Sequence, residues 1–180
     1  PGTYPVWGDG MVLNSYMLSI VTADEVSASD NAYVNNTSII TIIKYRGNTF
    51  AILGDIETDG MGALLRANPA LRGEIAGTLN QFGSPTGGVS FLVTAHHGHP
   101  SAFSTEWFEV SGPTRKFNIV SERRLAQGEE ESRAEVDARY SSKDFSLADN
   151  REQRRMVSTR HDASIHIEIN DQSEWSWEIF

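Results

Sequence analysis

Cysteine is absent from the 180 residues, which excludes disulfides and thiolate metal ligands. No apolar run approaches the roughly 20 residues needed to cross a bilayer. No charged stretch leading into an apolar one opens the chain, so no signal peptide is visible and a cytoplasmic location is expected. Basic residues are few: 15 Lys and Arg stand against 24 Asp and Glu, a formal net charge of −9. That balance argues against gripping nucleic acid mainly by neutralising phosphates. It leaves a nuclease open, because bound divalent cations invert the local field. Histidine is also scarce: the five are His96, His97, His99, His161 and His166.

Three of the five lie together. Phe91-Leu-Val-Thr-Ala-His96-His97-Gly98-His99 is a run suited to a buried strand that ends in adjacent histidines and a glycine. Phe50-Ala-Ile-Leu-Gly54-Asp55 has the same design, an apolar strand closed by a glycine and one carboxylate. A strand end is a rigid platform. Two such strands side by side would bring Asp55 and His96 or His97 to one rim of a sheet. One hard oxygen and one borderline nitrogen donor suit zinc, manganese or iron.

The length allows one domain with a sizeable core, spanning residues 1–180. Residues 16–22 read as a strand and 23–36, rich in Ser, Asp and Asn, as a loop. The β-branched run 38–45 reads as a central strand, turning at Arg46-Gly47-Asn48 into an antiparallel strand over 49–53. Met61, Leu64 and Leu65 have helical spacing. Asn68-Pro69 opens a second helix carrying Leu71, Ile75, Leu79 and Phe82. The glycine-rich 83–88 lacks the Lys-Ser/Thr ending of a phosphate-binding loop. Ser104 caps a short helix with Trp107 and Phe108, closed by Gly112-Pro113, and 116–121 is a strand. Most of the charge falls in 122–155, where 129–140 reads as a solvated helix. Strands return at 156–160, 163–170 and 175–180, with Ile165, Ile167 and Ile169 alternating in a half-buried antiparallel pattern.

In order, Asn35-Asn36-Thr37-Ser38, Leu53-Gly54-Asp55 and His96-His97-Gly98 resemble the metallo-β-lactamase superfamily, most closely its ComEC/Rec2-like branch. The resemblance implies an α/β fold, an αββα sandwich with metals at its edge. It implies that Asp55 bridges two divalent ions, Zn or Mn, and that His97, with His96 as the lesser candidate, binds one of them. His99 stands where serine is common in that branch. Ser101 or Ser104 occupies the place of its Ser-containing helix start, so His99, Ser101 and Ser104 are candidate substrate contacts. The superfamily's His-x-His-x-Asp-His run is absent, so the chain resembles the C-terminal half of the fold. The expected partner is an N-terminal half, on the same or a companion chain, and the expected substrate is nucleic acid or another phosphodiester. A half-sandwich would expose the sheet face that should pack on its other half.

Blander readings stand beside these. Asp55 is then a turn residue, His96 an orienting neighbour, and Asn36 and Ser38 local hydrogen-bonders. Glu57 and Asp59 read as solvated, His161-Asp162 as a turn and His166 as an exposed strand residue. Arg123, Arg124, Arg151, Arg154 and Arg155 read as surface. Trp107, Phe108, Trp175 and Trp177 read as packing residues. Two functions follow: part of a metal-dependent phosphodiesterase or nuclease working through metal-activated water, or a non-catalytic binding or scaffold half-domain with an incomplete site.

Overall fold

The structure, a computed structural model, describes residues 2–5, 10–79, 85–122, 136–148, 152–162 and 164–180. The chain begins with β1 (Gly2–Pro5) and β2 (Val12–Tyr16), followed by α1 (Ile20–Val26) and α2 (Asp30–Asn36). The β-branched run forms β3 (Ile40–Tyr45), which turns at Arg46-Gly47 into β4 (Asn48–Ile52). Then come α3 (Thr58–Ala67), α4 (Pro69–Ile75), and the short strands β5 (Gly77–Leu79) and β6 (Pro85–Gly87). β7 (Phe91–Val93) carries the histidine turn, and α5 (Thr105–Ser111) leads to β8 (Phe117–Val120). β9 (Met156–Ser158), α6 (Thr159–Asp162), β10 (Ile165–Ile169) and β11 (Trp175–Ile179) complete it.

One seven-stranded mixed sheet runs in the order β1-β2-β3-β4-β7-β8-β9. Pairing is antiparallel from β1 to β4 and parallel from β4 through β7 and β8 to β9. On one face Ile40, Ile42, Ala51 and Leu92 pack against Met61, Leu64, Leu65, Leu71, Ile75 and Trp107 from the helices. On the other face Phe91, Phe117 and Val157 are fully buried beneath the β10–β11 hairpin, whose Ile165, Ile167, Trp175 and Trp177 close over them. Phe91 lies 5.4 Å from Trp175 and Phe117 5.3 Å from Trp177, ring centre to ring centre. The tryptophans thus serve packing. The hairpin covers the β7–β9 side; towards β3, Ile52 on the same face is 37 % exposed.

Several boundaries differ from the sequence reading. The strand expected over 16–22 ends at Tyr16, because Ser19 caps a helix there by accepting the Thr22 N–H at 3.1 Å. The expected loop 23–36 holds the rest of that helix and all of α2, capped by Ser29. Its Ser, Asp and Asn content reflects caps rather than absence of structure. The second helix stops at Ile75 rather than running on to Phe82, which lies outside the described residues. Gly77 follows it, where an added Cβ would meet the Ser111 carbonyl oxygen at 2.2 Å. Of the expected helix 129–140, only residues 136–140 are described, and they enter a 3-10 turn, Ala138–Ser141. The strand expected over 156–160 ends at Ser158, and α6 takes up the chain there. Arg123, Arg124 and Arg151 lie outside the described residues, while Arg154 pairs with Glu152 and sits over Trp177.

Candidate functional site

β4 and β7 are parallel neighbours with Ile52 opposite Val93, so both strands deliver their ends to one rim. That edge, beyond the carboxyl ends of parallel strands, is where open α/β sheets place ligands. Gly54 turns the chain out of β4 at φ +61, and a Cβ there would lie 2.9 Å from the Ser38 Cβ. Ser38 Oγ accepts the Asp55 N–H at 3.0 Å. Asn36 Oδ1 accepts the Glu57 N–H at 3.0 Å, supplying the cap that Glu57's own side chain does not give α3. Asn35 Nδ2 donates to Glu57 Oε1 at 3.0 Å. The Asn35-Asn36-Thr37-Ser38 run is therefore a clamp on the Gly54–Glu57 turn of the adjacent strand.

The histidine turn has an unusual backbone. His96 (φ 44), His97 (φ 55) and Gly98 (φ 79) are all left-handed. For each histidine that costs about 1 kcal/mol or more, so the surroundings must impose it. His96 N–H donates to Gly54 O at 2.8 Å and His99 N–H to His96 O at 2.9 Å. The Asp137 N–H closes the turn from outside, donating to Gly98 O at 2.8 Å.

This backbone aims His97 across the rim. Its Nδ1 lies 2.5 Å from the Ser121 carbonyl oxygen, and its Nε2 lies 3.8 Å from Asp55 Oδ1. A carbonyl only accepts, so in the neutral ring Nδ1 carries the proton and Nε2 is the lone-pair nitrogen on the side of the carboxylate. Two acceptors facing each other across 3.8 Å leave room for one bridging cation or water. Zinc, at about 2.0–2.2 Å from nitrogen and oxygen ligands, fits that gap. Both side chains are at least half exposed, Asp55 50 % and His97 60 %.

His96 does not share this pair. Its Nδ1 is shielded from solvent without a hydrogen-bond partner, 4.0 Å from Glu57 Oε1. Glu57, expected to be solvated, is half-buried between Asn35 and His96, because the α3 N-terminus packs on the rim. Asp59 is exposed as expected. His99 Nδ1 accepts the Ser101 N–H at 3.2 Å and lies 2.8 Å from Ser101 Oγ, so its Nε2 carries the proton in the neutral form. Its ring is 5.3 Å from that of His96. Ser104 does not reach the rim: it is buried, and its hydroxyl accepts the Trp107 N–H at 3.1 Å as the α5 cap. Ser104, expected as a substrate contact, is thus a buried helix cap instead. His166 is exposed on β10.

Asp55 and His97 are thus together, His96 lies beside Glu57 at 4.0 Å, and His99 bonds to Ser101. Among the described residues, no three His, Asp or Glu side chains gather to hold a metal ion. Among them, too, no helix is long and apolar enough to cross a membrane.

Asp137 supports the turn and carries a test. Its carboxylate accepts from Arg139 N–H and Nε, both at 2.9 Å, and pairs with Nη2 at 2.5 Å. The Arg139 guanidinium holds that carboxyl below the usual carboxylate range, against the opposing effect of burial. A folded value below the unfolded one means the stabilisation is full above the unfolded value. It is lost as pH falls through the lowered folded value. Asp137→Asn is expected to cost about 1 kcal/mol at neutral pH, and the gap to wild type should close in strong acid. Urea unfolding at a series of pH values measures it.

Comparisons with protein-family models, curated proteins and solved structures found no match to this chain.

Proposed function

We propose that the chain is the C-terminal half of a metallo-β-lactamase-like αββα sandwich and contributes half of the site of a metal-dependent phosphodiesterase. The observation that carries this reading is the facing pair of Asp55 Oδ1 and His97 Nε2 at 3.8 Å, delivered by neighbouring parallel strands. The order Asn-Asn-Thr-Ser, Gly-Asp, His-His-Gly around one rim supports it, since the first run clamps the second and the second bonds to the third. The β10–β11 hairpin packed on one face of the sheet, with Ile52 on that face 37 % exposed, is compatible with such a layered fold.

Asp55 and His97 fit one oxygen and one nitrogen ligand of a zinc or manganese pair, with the remaining ligands supplied by a companion half. Such ions supply a hydroxide-like water at neutral pH and charge stabilisation on phosphoryl oxygens. The chain's own residues do the rest of the positioning. Ser38 fixes the Asp55 amide, and the Ser121 carbonyl accepts the Nδ1–H of the neutral His97 ring, which leaves Nε2 as its lone-pair nitrogen. His99, with Nδ1 engaged by Ser101, offers Nε2–H to an anionic oxygen of the substrate. The phosphodiester assignment rests on the family resemblance, an analogy of sequence pattern.

Hydrolysis of bis(4-nitrophenyl) phosphate and of a single-stranded oligodeoxynucleotide, by the gene's whole product with zinc or manganese, tests the proposal. Cleavage that chelator abolishes and added metal restores is the expected result. A well-folded product that binds neither metal and cleaves neither probe rejects it. That outcome would favour a scaffold half-domain, to which the two-ligand set among the described residues also corresponds.

A further inference from the structure

The group that decides which His97 nitrogen is free is a backbone carbonyl, and that carbonyl is itself held. β8 and β9 are parallel, with Val120 opposite Ser158, so residues 121–122 and 159–160 leave the sheet side by side. Thr159 Oγ1 accepts the Glu122 N–H at 2.7 Å and donates to Glu122 O at 2.6 Å. Glu122 is tied at its other end too. Ser158 Oγ donates to Oε2 at 2.5 Å, and Arg160 Nη2 lies 3.0 Å from Oε1. The Glu122 side chain is only 4 % exposed and that of Arg160 18 %. Three consecutive residues at the end of β9 therefore grip Glu122 through its amide, its carbonyl and both carboxylate oxygens.

The Glu122 N–H and the Ser121 C=O belong to one peptide unit. A planar trans peptide points its N–H and C=O in opposite directions. Fixing the N–H on Thr159 therefore fixes the direction of the carbonyl, whose oxygen lies 2.5 Å from His97 Nδ1 and accepts its N–H. We infer that Thr159, anchored by the Glu122–Ser158–Arg160 cluster, is a positioning residue that sets the tautomer of His97 through the Ser121 peptide. In the neutral ring it keeps Nε2 as the lone-pair nitrogen on the side of Asp55. The inference deepens the proposed function, and its significance for metal binding rests on that reading. The tautomer itself does not.

The test uses the chain labelled with 15N-histidine, in buffer alkaline enough to keep the imidazoles neutral. Long-range 1H–15N correlation spectra then report the tautomer, with His97→Gln identifying the resonance. The wild-type chain is expected to show His97 as the Nδ1–H form. Thr159→Val removes the hydroxyl with little change of shape, and should lower the ratio of Nδ1–H to Nε2–H about fivefold, the worth of one hydrogen bond. Thr159→Ser should restore the wild-type ratio. Zinc affinity of the gene's whole product should fall about 10- to 100-fold in Thr159→Val, the usual effect of losing a group that orients a ligand. An unchanged His97 ratio in folded Thr159→Val overturns the inference. If that variant does not fold, an unchanged ratio in Ser158→Ala does so. A changed ratio without metal binding would keep the positioning role and reject the metal-site reading.

Discussion

On the proposed function, Asp55→Ala and His97→Ala are each expected to lower metal-dependent phosphodiester hydrolysis about a thousandfold, some 4 kcal/mol of barrier. Each variant should remain folded. The two side chains are at least half exposed, and neither joins the core, so unfolding free energies should stay within about 1 kcal/mol of wild type. The double variant should be little worse than either single one, because two groups that hold the same cation act as a unit. Metal content by elemental analysis and hydrolysis of bis(4-nitrophenyl) phosphate would be read on the same samples. Wild-type metal content and turnover in both single variants would remove the pair from the chemistry. His96→Ala makes a useful contrast: His96 faces Glu57 rather than Asp55, so its loss should be much the smaller.

Gly60→Ala is expected to be the most damaging single-methyl change near the rim. A Cβ at Gly60 would sit 2.1 Å from Asn36 Oδ1, the atom that accepts the Glu57 N–H. Asn36 is only 1 % exposed and is held from its other end by Ser27 Oγ at 3.0 Å, so it has nowhere to move. The methyl group must break both bonds or push α3 off α2. A loss of about 3 kcal/mol follows from overpacking and an unsatisfied buried amide. In a chain of this size that is roughly a 10 °C drop in melting temperature. Calorimetry of the two proteins decides it, and a drop under about 2 °C would show that the clamp is loose. Gly73→Ala is the matched control, since nothing lies within 4 Å of the added Cβ.

The elements carrying the site were legible for physical reasons. Ile40–Tyr45 is β-branched and flanked by a Gly turn, and its hairpin with Asn48–Ile52 follows from those two facts. The histidine strand is short and apolar, and Gly98 marks its left-handed exit. Two neighbouring glycine-terminated strands sufficed to bring Asp55 and His97 to a common edge. The helices of residues 20–36 were not legible, because serine and asparagine serve caps as readily as loops. The half-buried place of Glu57 comes from the packing of α3 on the rim, which pattern alone does not show. The Glu122–Thr159 contact was beyond reach for a plainer reason: it depends on parallel pairing of strands separated by more than thirty residues of charged chain. The left-handed backbone at His96 and His97 had no signal beyond the glycine after them.

The bond between Gly54 O and His96 N, at 2.8 Å, welds the two turns into a single piece. Carboxylate and imidazole are therefore obliged to travel together. Drift in the surrounding helices would tilt the pair toward a different incoming molecule while leaving the gap between the two donors as it was. On the proposed reading, choice of substrate and fit to a cation would be separately adjustable properties of the same edge.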